Sequence, residues 1–186
     1  VPRITAGEFG GRSLRYPTSA RFRPTMDRVK EALFSMIGEQ LVDARVLDLY
    51  AAAGGLGLET LSRGARQAVF VEQNPEACRM LKANIKMLGV QDRTIVVKQD
   101  VRVYLKQSKF FATHVFCDPP YRLNLAAATL ELLADNPGLT NATLIVFEHA
   151  ADQDIDIPLA LELSDRREFG QSALSFIRKR RNTVKR

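Results

Sequence analysis

Apolar positions along this chain fall into short compact blocks that alternate with longer periodic stretches. The blocks at residues 45–50, 68–72, 94–98, 113–117 and 142–147 have the length and composition of strands buried on both faces. Between them, residues 56–63, 75–88, a short stretch to about 106, and about 125–134 place apolar residues at helical spacing. Pro75 sits where a helix tolerates proline, and Gly64 and Gly89 sit where helices end. Upstream, Val29, Leu33, Phe34 and Ile37 predict a helix that starts after Thr25 as N-cap and stops at Gly38. Residues 1–25 are punctuated by Gly and Pro, and extended stretches around Ile4 and Leu14 predict a small hairpin. At the other end, residues 160–168 and 173–178 read as two strands joined by a turn at Gly170.

Strands alternating with helices predict an α/β fold: a mostly parallel sheet, helices on both faces, a C-terminal antiparallel hairpin at one edge. The expected organisation is an N-terminal extension over residues 1–25 and one domain over 26–186. Ligands of such open sheets bind outside the carboxyl ends of the strands. The chemically informative residues fall there. The first loop, Asp48-Leu49-Tyr50-Ala51-Ala52-Ala53-Gly54-Gly55-Leu56-Gly57, is small enough for close backbone approach, and the following helix offers amides to a negative group. It lacks the G-x-G-x-x-G dinucleotide fingerprint. Glu72 ends the second strand, where a carboxylate can accept from a ribose diol. Asp100 ends the third and suits either an adenine amino group or an N-cap.

Asp118-Pro119-Pro120-Tyr121 carries the sharpest chemistry. Two prolines fix φ and remove amide donors, so the turn is a stiff platform with one carboxylate, backbone carbonyls and one ring. An exocyclic amino group on a base is a poor nucleophile because its lone pair is delocalised. Hydrogen bonds to the Asp118 carboxylate and a Pro119 carbonyl favour a pyramidal nitrogen and free that pair for in-line attack on an electrophilic methyl. Tyr121 can stack on the extruded base. The work is positioning and electrostatics.

Composition narrows the partner. Net charge is +6, with residues 1–30 at +5, residues 166–186 at +7 and the body between them at −6. Basic ends on an acidic body suit a polyanion such as nucleic acid; a solubilising tail is the plainer reading of Lys179 to Arg186. Two cysteines, Cys78 and Cys117, lie in apolar segments and build no disulfide framework. No apolar run reaches the ~18 residues of a membrane span, and the first residues lack a signal peptide's apolar region. A cytoplasmic protein is expected. Cys117 is expected in the core, and His149 to satisfy a buried carbonyl rather than face the site.

With these residues assembled, the chain resembles the class I S-adenosylmethionine-dependent methyltransferases, within them the amino-methylating group with an Asp/Asn-Pro-Pro-Tyr motif. More narrowly it resembles the bacterial RsmD family, which methylates N2 of a guanine in small-subunit (16S) rRNA. The resemblance runs through Arg23-Pro24-Thr25 with residues 27–34, Val46 to Ala51, residues 57–65, Asp118 to Tyr121, Glu148-His149, and Phe169-Gly170 with Ala173-Leu174-Ser175. It implies that Asp48, Tyr50, Ala51, Gly54 and Gly57 contact S-adenosylmethionine. Glu72 would hold its ribose, and Asp100 with Val101 its adenine. Asp118, Pro119, Pro120 and Tyr121 would hold the guanine, and Arg23, Thr25, Arg28 and Lys30 would recognise RNA. The implied partner is rRNA or the 30S particle, met by a monomer, with no metal. One departure stands out: where the family reads Ala-Gly-Ser-Gly, this chain has Ala51-Ala52-Ala53-Gly54. Other substrates of the same chemistry are amino groups of adenine or cytosine in DNA, or of a glutamine side chain. A non-catalytic RNA-binding factor is a further reading.

Overall fold

A computed structural model describes residues 2–17, 27–120 and 125–181. The expected N-cap at Thr25, and Arg23 and Tyr121, lie outside these residues. Seven strands form one sheet in the order β3-β2-β1-β4-β5-β7-β6. These are β1 (Arg45–Leu49), β2 (Gln67–Val71), β3 (Thr94–Val97), β4 (His114–Cys117), β5 (Leu144–Ala150), β6 (Leu161–Phe169) and β7 (Ser172–Lys179). The first five pair in parallel, and β7 runs antiparallel to both β5 and β6. The helices are α1 (Asp27–Ile37), α2 (Gly55–Ser62), α3 (Pro75–Leu88), α4 (Val101–Gln107) and α5 (Ala126–Asp135).

Alternation along the strands sorts the core into two layers. Val46, Phe70, Phe116 and Val146 pack under α1, α2 and α3, while Leu47, Val69, Val115 and Ile145 pack under α4 and α5. Local chemistry sets the helix ends as expected. Asn74 caps α3 by accepting from the amides of Glu76 and Ala77, Pro75 follows it, and Gly89 closes the helix at φ 70°.

The N-terminal arm folds onto the first layer. Ile4 and Leu14 are buried in the same cluster as Leu33 and Phe34, and Arg3 bridges Ser13 in an antiparallel pair. Glu59, fully buried on α2, anchors the arm. Its carboxylate accepts from the Thr5 amide at 2.8 Å, the Thr5 hydroxyl at 2.7 Å and the Ala6 amide at 3.1 Å. No helix among the described residues is long and apolar enough to cross a membrane.

Candidate active site

The strand register brings the acidic residues together. Phe70, Asp48, Phe116 and Val146 stand in one row across β2, β1, β4 and β5. Side chains alternate along a strand, so positions two residues on return to the same face. Glu72, Asp118 and Glu148 are those positions, one pleat nearer the carboxyl ends. Four carboxylates therefore converge on the face covered by α1, α2 and the arm. Burial raises the Asp48 carboxyl to about 8, against the Gly57 amide, with the Glu72 charge adding to the rise. Burial, then the Glu148 charge, then that of Asp48, push the Asp118 carboxyl well above the usual range. Among the described residues, the charges that act on Asp118 are carboxylates, and such a cleft suits a cationic ligand.

The loop after β1 is held from beneath. The Ala51 amide donates to the Val71 carbonyl at 3.1 Å, and the Ala52 amide to the Glu72 carboxylate at 2.9 Å. Tyr50 and Ala52 both adopt positive φ, 57° and 46°. The Gly57 amide donates to Asp48 at 2.8 Å, and a Cβ at Gly57 would lie 2.3 Å from the Phe70 ring. Packing of α2 on the sheet thus demands glycine there, whatever binds above. At Gly54, φ is 86° and an added Cβ would meet Leu81 at 2.5 Å.

Two residues that the motifs do not single out complete the cleft. The Tyr16 hydroxyl lies 3.3 Å from where a Cβ on Gly55 would stand. Burial first, then the charges of Asp48, Asp118, Glu72 and Glu148, raise its pKa, so the arm carries a neutral phenol into the acidic cleft. Asn84 ties that arm to the loop. Its side chain accepts from the Arg15 amide at 2.8 Å and donates to the Arg15 carbonyl at 2.9 Å and the Ala53 carbonyl at 3.0 Å. The signal in the sequence is a lone Asn on an apolar stripe with Leu81, Ile85 and Leu88.

Comparison with known proteins decides the family. The family described as "Conserved hypothetical protein 95" matches residues 2–178. "Ribosomal RNA small subunit methyltransferase D" of Escherichia coli (strain K12) is 36% identical over 172 residues, covering 92% of this chain and 86% of that protein. Its namesake from Haemophilus influenzae is 36% identical over 159 residues, covering 84% of this chain and 82% of its own. This chain belongs to the RsmD family. It is a methyltransferase with the class I fold. A solved structure, the hypothetical protein TTHA0928 of Thermus thermophilus, superposes with TM-score 0.82 at 34% identity, covering 95% of this chain and 98% of that one.

In this RsmD-family enzyme the remaining site residues are placed unevenly. Pro119 is buried and Pro120 exposed beside Asp118, in a cleft shared with Leu125, Phe147, Glu148 and His149. Tyr50 turns its hydroxyl to Thr129 on α5 at 2.8 Å, and Ala51 is buried. Asp100 caps α4 through the Arg102 amide at 2.7 Å and grips the Arg102 guanidinium at 2.7 Å. That side-chain bond first holds its carboxyl below the usual range. Val101 is buried against the sheet in the second layer.

Arg28 is exposed, but Lys30 is not. The Lys30 ammonium donates to the Arg3 carbonyl and faces Glu59 at 3.6 Å with its side chain 3% exposed, so we assign it to the arm junction, correcting its expected place on the RNA face. Burying its stem under the arm commits the charge to internal partners. His149 lies 2.9 Å from the Ala150 carbonyl and 2.9 Å from the Ser175 hydroxyl, and Cys117 is core, as expected. No group of three or more His, Cys, Asp or Glu among the described residues is arranged to hold a metal.

Proposed function

We propose that this methyltransferase transfers a methyl group from S-adenosylmethionine to the exocyclic N2 of a guanine in small-subunit rRNA. The observation that carries it is the convergence of Asp118-Pro119-Pro120 with Asp48, Glu72 and Glu148 at the carboxyl ends of adjacent strands. An acidic, partly desolvated cleft fits a sulfonium, and the bound cofactor supplies an electrophilic methyl. The loop from Asp48 to Gly57 holds the methionine part, with Tyr50, Ala51 and Gly54 as its backbone frame. Glu72 receives the ribose, and Asp100 with Val101 receives the adenine. Glu72 already accepts from Ala52 and from the Asn74 amide at 2.7 Å, which leaves lone pairs for a diol.

Asp118 and the Pro119 carbonyl take the two amino hydrogens of the base, and Tyr121 stacks on its face. The proton departs after transfer, so a strongly basic group is not required. Arg23, Thr25 and Arg28 meet the RNA. The relatives named as rRNA methyltransferases support this substrate.

Tritiated methyl transfer onto naked small-subunit rRNA, 30S particles and DNA tests the reading, with nucleoside mass spectrometry identifying N2-methylguanosine. D118A is expected to fold, to bind cofactor, and to lose at least about 10²-fold in rate. Undiminished labelling by D118A, or label confined to DNA, would refute it.

A further inference from the structure

We infer that Glu148 selects guanine, by accepting the N1–H of the target base while Asp118 takes the neighbouring amino group. This rests on the guanine-N2 reading above. The register pairs Phe116 with Val146 and Cys117 with Phe147. Asp118 and Glu148 are the next residues along, and neighbouring strands run about 4.8 Å apart. Alternation turns both to the same face, and the Glu148 charge leads the charged influences on Asp118. Glu148 is 8% exposed and lines the cleft that begins at Pro119 and Pro120. His149 and the half-buried Gln153 also line it. Glu148 is thus the buried carboxylate beside the amino-binding one.

The pairing discriminates by chemistry. Guanine presents N1–H and an amino group as adjacent donors, which match two neighbouring acceptors. Adenine N1 and cytosine N3 carry a lone pair beside the amino group. A carboxylate at that position repels the lone pair and loses its own hydrogen bond, so both bases are rejected.

The test uses small-subunit rRNA in which the methylated position, first mapped by mass spectrometry, carries either guanine or 2-aminopurine. The analogue keeps the N2 amino group but bears a lone pair at N1. The native enzyme is expected to favour guanine in kcat/KM by on the order of 10²-fold or more. In Glu148→Gln the amide can donate to that lone pair, and the preference is expected to narrow at least about tenfold. Folding is checked by thermal unfolding. If E148Q does not fold, E148D, which withdraws the carboxylate by one methylene, is read for the same narrowing. A folded variant that keeps the native ratio overturns the inference. A native enzyme that labels no guanine in either RNA overturns the guanine-N2 reading itself, and this inference with it.

Discussion

Ala52 shows how one side chain can oppose its own backbone. Its φ of 46° is held by the amide bond to Glu72, in a region that disfavours a Cβ. The resemblance noted in the sequence implies glycine at this position, and the positive φ is the physical reason glycine would suit it. A52G is expected to stabilise the protein by about 1 kcal/mol, which corresponds to a rise of roughly 2–4 °C in Tm for a chain of this size. Differential scanning calorimetry checks it, and an unchanged or lower Tm would mean that the loop relaxes around alanine without strain. Tyr16 is the opposite case. In sequence it is one aromatic among arginines; its place among four carboxylates exists only because the arm crosses the loop.

Among the elements, Asn84 joins the arm, α3 and the loop after β1. The Asn84 side chain binds three backbone groups, two on Arg15 and one on Ala53. N84A leaves them unpaired in a buried place and is expected to destabilise the protein by roughly 2–4 kcal/mol. Because the lost bonds set the loop's position and not the methyl acceptor, the KM for S-adenosylmethionine should rise several-fold with kcat nearly kept. Denaturant titration and steady-state kinetics measure the two effects; a fall in kcat at constant KM would sink this assignment.

Element boundaries themselves were legible. The hairpin anticipated at residues 160–168 and 173–178 is observed at Leu161–Phe169 and Ser172–Lys179. Which strand lies inside follows from burial. β7 is buried over most of its length and sits between β5 and β6, while the charged β6 is exposed and takes the edge, where charge discourages further pairing.

For the molecule as a whole, the acidic cleft links stability to pH. The native Asp48 carboxyl titrates at about 8, whereas an unfolded Asp titrates near 4. Between these values the native state holds a proton that the unfolded chain has released. Stability rises with pH only where the unfolded state binds more protons, so here it falls as pH rises from about 4 to about 8. The raised Asp118 carboxyl adds in the same direction. The Tm of the ligand-free protein is therefore expected to decline across that window. D48N, whose amide oxygen can still accept from Gly57, should flatten the decline and stabilise the protein at pH 8 while weakening cofactor binding. A sulfonium ligand should bind more tightly as the acids ionise. Thermal scans and calorimetric titrations from pH 5 to 8 test both, and a Tm that climbs with pH in native protein would contradict this account.

Local pattern alone determined the alternating elements, the parallel sheet, the Pro-Pro platform at Asp118 and the acidic residues at strand ends. Each of these is written in spacing, capping and turn chemistry over a few neighbouring residues. The tertiary structure decided what those residues face. Register turned Asp48, Glu72, Asp118 and Glu148 into one cluster, burial moved Lys30 from a surface charge to the arm junction, and the folded arm brought Tyr16 to the cleft. Such facts depend on contacts between residues tens of positions apart, and no local pattern encodes them.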